Sequence, residues 1–495
     1  MRVILALIAI SLFLPESAAS TPVSAAPELS HYEFEVAFDP AARSLSGTVV
    51  VNWLNTTGQG QDSLWFRLYP NAEYYGDGET AIHAATVDGE AVESSLQDDP
   101  TVLEVALGNS ILPGERVRVE LAFTSIVPVT SDASFGILGG DPETGWWLAD
   151  WHPIVAGWED DTGWYLASPT RFGDPTYAES ATYELTLTAP ADLTVLGSGE
   201  IIEVAHDGET AVTSIVTAPG RDLTLSLLPG DVVAEARAVA GIDVAVSLPS
   251  GQAIPGLAEA ILDIAHGVVP LYEEWLGDYP DAELDITTVP LAGASGVAWS
   301  GIVWIDLAGI ASDGALADAE VDHLRFVVAH ELAHQWLALT VGSNNNDHGF
   351  MTEGLVNTVA VLALREQYGV DVAEGYLRNQ VAAGYVAMLD GGIDGIADAP
   401  VTDETDIGQR SRLIYGKAAL GFEAIRQQIG EEAFLAGLAA YARDFRFGNS
   451  EPVDLRRAFE AASGTDLGDL WSFWFLENTT TTADVEMVLN GFANS

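Results

Sequence analysis

The sequence contains no cysteine, which limits how its fold can be stabilised. It has neither a disulfide nor a cysteine for lipid attachment, so a small disulfide-stapled scaffold is excluded. With 495 residues, of which 48% are hydrophobic, the chain is long enough for two or more domains that each bury a core. Outside the cytoplasm, such a protein must be stabilised by packing and by bound ions.

Basic side chains are also scarce. The chain has 19 lysines and arginines against 73 acidic residues, a formal net charge of −54, and Lys417 as its only lysine. Phosphate groups are bound by clustered lysine and arginine side chains. The composition therefore excludes nucleic acid and anionic membranes as partners.

Long hydrophobic runs are absent as well. The apolar run over residues 3–14 is shorter than the ~20 residues needed to cross a bilayer. It follows Arg2 and precedes Pro15 and several small residues, which is typical of an export signal. The sequence predicts a signal peptide over residues 1–26 and a secreted protein, extracellular or periplasmic, with no stable membrane insertion after cleavage.

The periodicity of apolar residues changes near the middle of the chain. Alternating and β-rich runs separated by turn residues fill residues 31–228, which predicts an antiparallel β-sandwich. From about residue 256 helical periodicity dominates, mixed with strand-like runs, so the fold class is α+β. We predict a sandwich domain over residues 27–235 and a catalytic domain over residues 236–495. Helices are expected at 257–275, 318–341, 352–368, 411–429 and 431–445, with Gly342, Gly369 and Gly430 as C-terminal caps.

One predicted helix carries the sequence His330-Glu331-Leu332-Ala333-His334. Residues four apart lie one turn apart on one helix face, so His330 and His334 can present two imidazole nitrogens to one ion, with Glu331 beside them. A hydrolytic zinc site needs a third protein ligand and an open position. Glu353, which follows His334 after eighteen residues and opens the next helical stretch, is the predicted third ligand. Zinc lowers the pKa of bound water toward ~7, and Glu331 is the predicted base that accepts the proton.

The order of three motifs resembles the gluzincin aminopeptidases, the family of alanyl aminopeptidase and leukotriene hydrolase. The motifs are His330-Glu331-Leu332-Ala333-His334-Gln335-Trp336, then Met351-Thr352-Glu353-Gly354-Leu355, then Tyr415-Gly416-Lys417-Ala418. The resemblance covers nearly the whole chain after the signal. It implies an N-terminal β-sandwich on a thermolysin-like catalytic domain, with zinc as the cofactor and a peptide as the substrate.

By the same resemblance, Tyr415 takes the position of the tyrosine that stabilises the transition state, because a neutral phenol can donate a hydrogen bond to an oxyanion. An ordinary core tyrosine is the alternative. Asn346 and Asp347 occupy positions where the family often has polar residues that support the metal site, although a solvated loop explains them equally well. His323 is interpreted as structural.

One motif departs from the family. Family aminopeptidases carry a Gly-x-Met-Glu-Asn strand whose backbone aligns the substrate and whose Glu binds the free N-terminal amine. Here Gly296 matches the substrate-binding backbone, and Ala298 stands in place of that Glu. Loss of a carboxylate that pairs with an ammonium weakens recognition by about 2 kcal/mol or more. Another carboxylate, for example from residues 146–161, could substitute.

The sequence thus predicts a secreted zinc metallopeptidase that is aminopeptidase-like in its machinery. Its alternatives are a metal-dependent hydrolase of a non-peptide substrate, such as an epoxide, and a non-enzymatic, peptide-binding relative. A serine hydrolase is disfavoured because residues 293–297 lack the final glycine of a nucleophile elbow.

Overall fold

The computed structural model describes residues 28–129, 131–133, 135–173, 175–308, 316, 318–402 and 404–492. The predicted signal peptide lies outside these residues. A β-rich N-terminal half precedes a mostly helical C-terminal half, which confirms the predicted α+β class. Among the described residues, no helix is both long and apolar enough to cross a membrane.

The N-terminal half is built from strands and two short 3-10 turns, Tyr69–Asn71 and Glu73–Tyr75. Its strands are β1 (Ser30–Asp39), β2 (Ser44–Leu54), β3 (Gln61–Arg67), β4 (Glu79–Val87), β5 (Glu90–Ala91), β6 (Ser94–Leu96), β7 (Val102–Ile111), β8 (Arg116–Ile126), β9 (Leu138–Asp141), β10 (Gly145–Leu148), β11 (Ile154–Val155), β12 (Trp158–Glu159), β13 (Gly163–Trp164), β14 (Ala181–Pro190), β15 (Leu193–Gly197), β16 (Glu200–Asp207), β17 (Thr210–Val216) and β18 (Leu225–Pro229).

These strands form an eight-stranded sheet, two four-stranded sheets and a two-stranded sheet of β12 and β13. The large sheet has the order β16-β17-β14-β1-β2-β8-β4-β5, and the four-stranded ones have the orders β15-β18-β10-β9 and β11-β3-β7-β6. One hydrophobic core contains residues from the three larger sheets, as in a sandwich. In β1, Tyr32, Phe34 and Val36 are buried while Glu33 and Glu35 are exposed, which explains the alternation in the sequence. The β1 and β14 strands pair in parallel, unlike the other strand pairs of this sheet.

A second, mixed sheet begins the C-terminal half. It contains β19 (Val232–Val239), β20 (Ile242–Pro249), β21 (Glu283–Thr288), β22 (Gly296–Trp299) and β23 (Ile302–Ile305), in the order β19-β20-β21-β23-β22. The β22 strand is an edge strand and runs antiparallel to β23. The predicted division between residues 235 and 236 falls inside β19, and the domain boundary itself stays a prediction.

Helices pack against this sheet and against one another around a single core. They are α1 (Leu257–Leu276), α2 (Asp318–His334), α3 (Asn345–Tyr368), α4 (Val370–Tyr376), α5 (Ala383–Asp390), α6 (Ile407–Ser411), α7 (Ala418–Ile429), α8 (Glu431–Asp444), α9 (Pro452–Ser463), α10 (Gly468–Trp471) and α11 (Thr482–Phe492), with a 3-10 turn at Ser250–Gln252 and π-helical segments at Leu377–Ala382, Arg412–Lys417 and Ser472–Leu476.

Two predicted boundaries around the metal motif were wrong. The α2 helix ends at His334 rather than at residue 341, because the following residues form tight turns in which Ala338 has a φ of 127°. Gly342 is therefore not a helix cap; a Cβ there would lie 2.1 Å from the guanidinium carbon of Arg221. The α3 helix begins at Asn345, so Glu353 lies inside it and does not open it.

The predicted caps at Gly369 and Gly430 do have positive φ angles, 88° and 83°, directly after α3 and α7. Their backbone amides donate to Arg365 and Arg426, four residues earlier. Glycine adopts this conformation without the steric cost that other residues incur.

Candidate metal centre

Three predicted ligands converge between two helices. His330 and His334 lie on the last turns of α2, and Glu353 lies on the neighbouring α3. Their side-chain atoms approach closely: His330 Nε2 and His334 Nε2 are 3.0 Å apart, and Glu353 Oε2 is 3.3 Å from the first and 3.5 Å from the second. Within the part of the chain that the structure describes, they are the one group of three such residues close enough to share a metal ion.

The hydrogen bonds behind the imidazoles show which nitrogens face the centre. The Nδ1 of His334 lies 3.2 Å from the carbonyl oxygen of Leu337, and the Nδ1 of His330 lies 2.8 Å from Oδ1 of Asn357. Both partners are acceptors, so both Nδ1 atoms carry the hydrogen and both Nε2 atoms present a lone pair. Two lone pairs and a carboxylate oxygen at these distances repel one another unless a cation lies among them.

The spacing fits zinc. Ligands 2.0–2.1 Å from a tetrahedral centre are separated by about 3.3 Å, close to the three distances found here. Two imidazoles and one carboxylate are also a donor set that zinc prefers in catalytic sites. His330, His334 and Glu353 would therefore hold the ion, and the second hydrogen bond of each imidazole would fix its orientation.

Without a metal, a proton takes the place of the cation. Burial lowers the pKa of the His334 imidazole, but the Glu353 carboxylate outweighs this effect and raises it to about 9. Burial raises the pKa of Glu353, whereas the nearby charge of His334 and hydrogen bonds from both imidazoles bring it well below its usual range. The two groups form an ion pair, so metal binding must displace a proton.

Glu331 projects from α2 beside the ligands and against the edge strand. Glu331 is 6% exposed, and this burial raises the pKa of its carboxyl. The charges of His330 and His334 lower that pKa, and the charge of Glu353 raises it. A Cβ at position 296 would lie 2.7 Å from both Cγ and Oε1 of Glu331, so any side chain there would force Glu331 to move. Gly296, predicted to bind substrate, thus brings the β22 backbone against the predicted base.

Tyr415 lies beside the ligands, with its ring centre 6.0 Å from that of His330, in the π-helical segment Arg412–Lys417. Single π turns inside helices occur often at functional sites. Burial raises the pKa of its phenol well above the usual range, and the charges of Glu353 and Glu331 and a hydrogen bond with Glu353 add to this effect. The hydroxyl therefore keeps its proton and can donate it in a hydrogen bond beside the metal ligands.

Ala298 lies two residues after Gly296 on β22, so both residues are on the same face of the strand. Ala298 is partly buried and packs against the helical core. Counted from Gly296, the Glu of the motif falls on Trp299 rather than on Ala298, so the predicted position was off by one residue. Neither the methyl group of Ala298 nor the indole of Trp299 offers a charge to an amine. Two carboxylates of the sandwich segment predicted as a substitute already have partners: Glu159 Oε1 accepts from Nδ2 of Asn344 at 2.8 Å, and Asp150 Oδ1 accepts from Thr176 at 2.7 Å.

The other polar residues considered from the sequence have structural contacts. Asn346 is buried, and its Nδ2 donates to the carbonyl of Pro175 at 3.0 Å, which connects α3 to the sandwich. Asp347 accepts from Nδ2 of Asn344 at 2.9 Å. His323, interpreted as structural, lies 3.2 Å from the hydroxyl of Ser295 through its Nε2.

Asn357 was missed from the sequence, and Lys417, although part of the third motif, was given no role there. Asn357 bridges two site residues, because its Oδ1 contacts His330 while its Nδ2 donates to the backbone carbonyl of Tyr415 at 2.9 Å. Lys417 is fully buried and donates to both carboxylate oxygens of Asp394 at 3.1 Å. A buried amide one turn beyond Glu353 in an apolar run, and the only lysine of the chain, were the signals available.

Comparison with known proteins agrees with this geometry. Residues 261–474 match the Peptidase family M1 domain. The chain is 24% identical over 457 residues to Aminopeptidase 2 of Candida albicans, covering 88% of this chain and 47% of that protein. It is 27% identical over 305 residues to Aminopeptidase M1 of Arabidopsis thaliana, covering 59% of this chain and 34% of that protein. The chain thus spans between a third and a half of these relatives.

The fold also matches solved structures. A mutant of the M1 zinc metallopeptidase of Deinococcus radiodurans, solved with a Tyr-Ser-Ala substrate, superposes with a TM-score of 0.65 at 18% identity, covering 92% of this chain and 95% of that one. At this identity the likeness shows the shared fold. Together with the matched domain, it confirms the resemblance inferred from the sequence motifs.

Proposed function

We propose that this chain is a secreted zinc peptidase that hydrolyses peptide bonds and depends little on a free substrate amine. It resembles the gluzincin aminopeptidases, and its residues 261–474 match the Peptidase family M1 domain. The observation that carries the proposal is the convergence of His330, His334 and Glu353 within 3.5 Å of one another. Glu331 and Tyr415 both lie next to this group. The N-terminal sequence pattern supports secretion.

Zinc, when bound, supplies a Lewis acid that acidifies water and polarises the substrate carbonyl. Glu331 is the general base of the proposal. Its carboxylate is buried beside the ligands, where a raised pKa makes it a better proton acceptor than an exposed glutamate. It takes a proton from the attacking water and returns it to the leaving amine.

Tyr415 acts as the hydrogen-bond donor in this scheme. Its protonated phenol reaches the ligand Glu353, so it lies near the position where the oxygen of the scissile carbonyl would gain negative charge. A preorganised donor at such a position typically contributes about 10²–10³ in rate.

The edge strand β22 supplies the surface for the substrate backbone. Among the described strands β22 pairs with β23 alone, and in the proposal its other edge binds an extended peptide. Gly296 lets this strand approach Glu331 closely, so a peptide on the strand would have its scissile bond near the base. Because Ala298 carries no charge, the free N-terminus of that peptide would gain little binding energy here.

The test is a pair of peptides that differ only in N-terminal acetylation, incubated with the zinc-loaded protein and analysed by mass spectrometry. We expect both peptides to be cut, with kcat/KM values within about tenfold of each other, because position 298 has no carboxylate that would pair with the substrate ammonium. The control is Glu331→Gln, which should keep zinc bound and lose at least ~10³ in kcat.

Two results would contradict the proposal in different ways. Failure of the zinc-loaded wild type to cut any peptide would reject peptidase activity. A loss of 10²-fold or more on the acetylated peptide would reject the weak dependence on the amine, and it would require another carboxylate to bind the substrate N-terminus.

A further inference from the structure

Asn357 lies at the junction between the metal ligands and the segment that carries Tyr415. Its side chain is 2% exposed, on the face of α3 one turn beyond Glu353. It has two site contacts: the Nδ1 of His330 at 2.8 Å from Oδ1, and the Tyr415 carbonyl at 2.9 Å from Nδ2.

The chemistry of these two contacts fixes the orientation of the amide. A backbone carbonyl can only accept a hydrogen bond, so the Asn357 group that faces Tyr415 must be the donor Nδ2. Oδ1 must then face His330, and an amide oxygen can only accept. His330 therefore carries its hydrogen on Nδ1 and leaves Nε2 as a metal ligand.

Tyr415 lies in a π-helical segment, at whose end the Ala418 amide donates to the Leu413 carbonyl five residues earlier. In a regular α-helix a carbonyl accepts from the amide four residues on, whereas a π turn shifts this pairing and releases acceptors to side chains. The neighbouring residue Thr358 shows that α3 contacts the next helix too, since its hydroxyl lies 3.2 Å from the carbonyl of Ala419. That bond does not reach the metal ligands.

The end of the same π segment is held from outside. Lys417 donates to the carboxylate of Asp394 and to the carbonyls of Gly395 and Glu477, at 2.7 and 2.6 Å respectively. Lys417 thus anchors the end of the segment, while the bond from Asn357 connects the Tyr415 backbone to the metal ligand His330.

We infer that Asn357 is a positioning residue that couples the two halves of the site, holding His330 in its metal-binding tautomer and placing Tyr415 at the distance that its hydrogen bond to substrate requires. This inference rests on the proposed function for its kinetic part only. Its metal-binding part stands on the His330 contact and is tested without any activity.

Two substitutions separate the two contacts. Asn357→Leu has similar size and removes both. Asn357→Asp keeps an oxygen acceptor for His330 Nδ1 but places a carboxylate oxygen against the Tyr415 carbonyl, which repels it. The control is Thr358→Val, which removes a buried hydroxyl next door that contacts neither His330 nor Tyr415.

Zinc affinity is measured by competition with a chromogenic chelator. We expect Asn357→Leu to weaken zinc binding by about 10–100-fold, and Asn357→Asp and Thr358→Val to stay within about threefold of wild type. Unchanged affinity in Asn357→Leu would overturn the role in holding His330. This measurement is decisive even if the wild type proves to have no peptidase activity.

The kinetic part is tested by a double-mutant cycle with Tyr415→Phe at saturating zinc. Asn357→Asp should lower kcat by tenfold or more with little change in KM, and should cause no further loss in the Tyr415→Phe background. Equal losses in both backgrounds would overturn the coupling. Crystal structures of the zinc-loaded variants provide the independent readout: the Tyr415 carbonyl should move in Asn357→Asp, and an unmoved carbonyl counts against the inference whatever the rates.

Discussion

At the scale of single residues, the groups of the proposed catalytic set are present, whereas position 298 carries no charged group. Gly296 and Ala298 share a face of β22, and Gly296 already contacts Glu331. A side chain at position 298 therefore extends along the face that carries the predicted base. Because Ala298 carries only a methyl group, one substitution at this position is enough to introduce a group that binds an amine.

Ala298→Glu should increase the preference for free over acetylated peptides. A carboxylate that pairs with the substrate ammonium contributes about 2 kcal/mol, or roughly thirtyfold in the ratio of kcat/KM values. The matched control is Ala298→Gln, which has the same size without the charge and should leave the ratio near that of the wild type. An unchanged ratio in the Glu variant, with zinc still bound, would show that position 298 does not face the substrate amine.

At the scale of elements, the five-stranded sheet carries an acidic group that titrates near neutral pH. Asp285 lies on β21, where burial raises its pKa and the charge of Glu283 raises it further, to about 7, although the amide of Gly197 donates to it. An aspartate in the unfolded chain has a pKa of 3.8. The folded protein therefore holds this proton more tightly than the unfolded chain does.

The sign of the effect on stability follows from linkage. Because the pKa of Asp285 is raised in the folded state, the bound proton contributes its full stabilisation below pH 3.8. That contribution is lost as the pH rises through about 7. Asp285→Asn should thus stabilise the protein at pH 8, by about 1–3 kcal/mol after allowance for partial exposure, and have little effect near pH 4. Chemical denaturation at the two pH values measures this difference.

The neighbouring strand provides the control for that experiment. Asp243 on β20 is exposed and is paired in register with Glu283. Asp243→Asn removes the same charge from the surface, so its effect should be small and similar at both pH values. An equal gain for both variants at pH 8 would mean that net charge, rather than burial of Asp285, is responsible.

At the scale of the whole molecule, contacts between the two halves position the edge strand β22. Asp222, in the loop before β18, accepts hydrogen bonds from the backbone and hydroxyl of Ser300, in the turn between β22 and β23. Beside it, the buried Arg221 donates to the carbonyl of Ala178 and to the side chain of Asn449. The sandwich half thus holds the hairpin that brings Gly296 to Glu331.

The net charge of −54 is the other property of the whole molecule. Acidic groups repel one another more in the compact state than in the expanded chain, and salt screens that repulsion. The thermal unfolding midpoint should therefore rise by several degrees between 10 and 500 mM salt, equally for sodium and choline chloride. A flat or falling midpoint would contradict this expectation, and a rise with sodium alone would point to specific ion binding.

The sequence alone was sufficient to predict the three candidate metal ligands that the structure brings together. Two of them lie on one helix, and the third lies on the next helix of the chain. His330 and His334 are one helical turn apart in any α-helix, and the ordered motifs through Glu353 and Tyr415 indicated the family and hence the α+β fold. Alternation of apolar residues likewise predicted the strands of the sandwich, because every second side chain along a β-strand faces the core.

Other features depended on contacts between residues distant in sequence, and only the tertiary structure decided them. The end of α2 at His334, the start of α3 at Asn345 and the role of Gly342 follow from chain packing that has no local signal. The bridge by Asn357 exists because α3 and a π turn more than fifty residues away meet in space. Local periodicity fixes which residues can form a helix or bind a metal, whereas the hydrogen bonds that orient them require the folded chain.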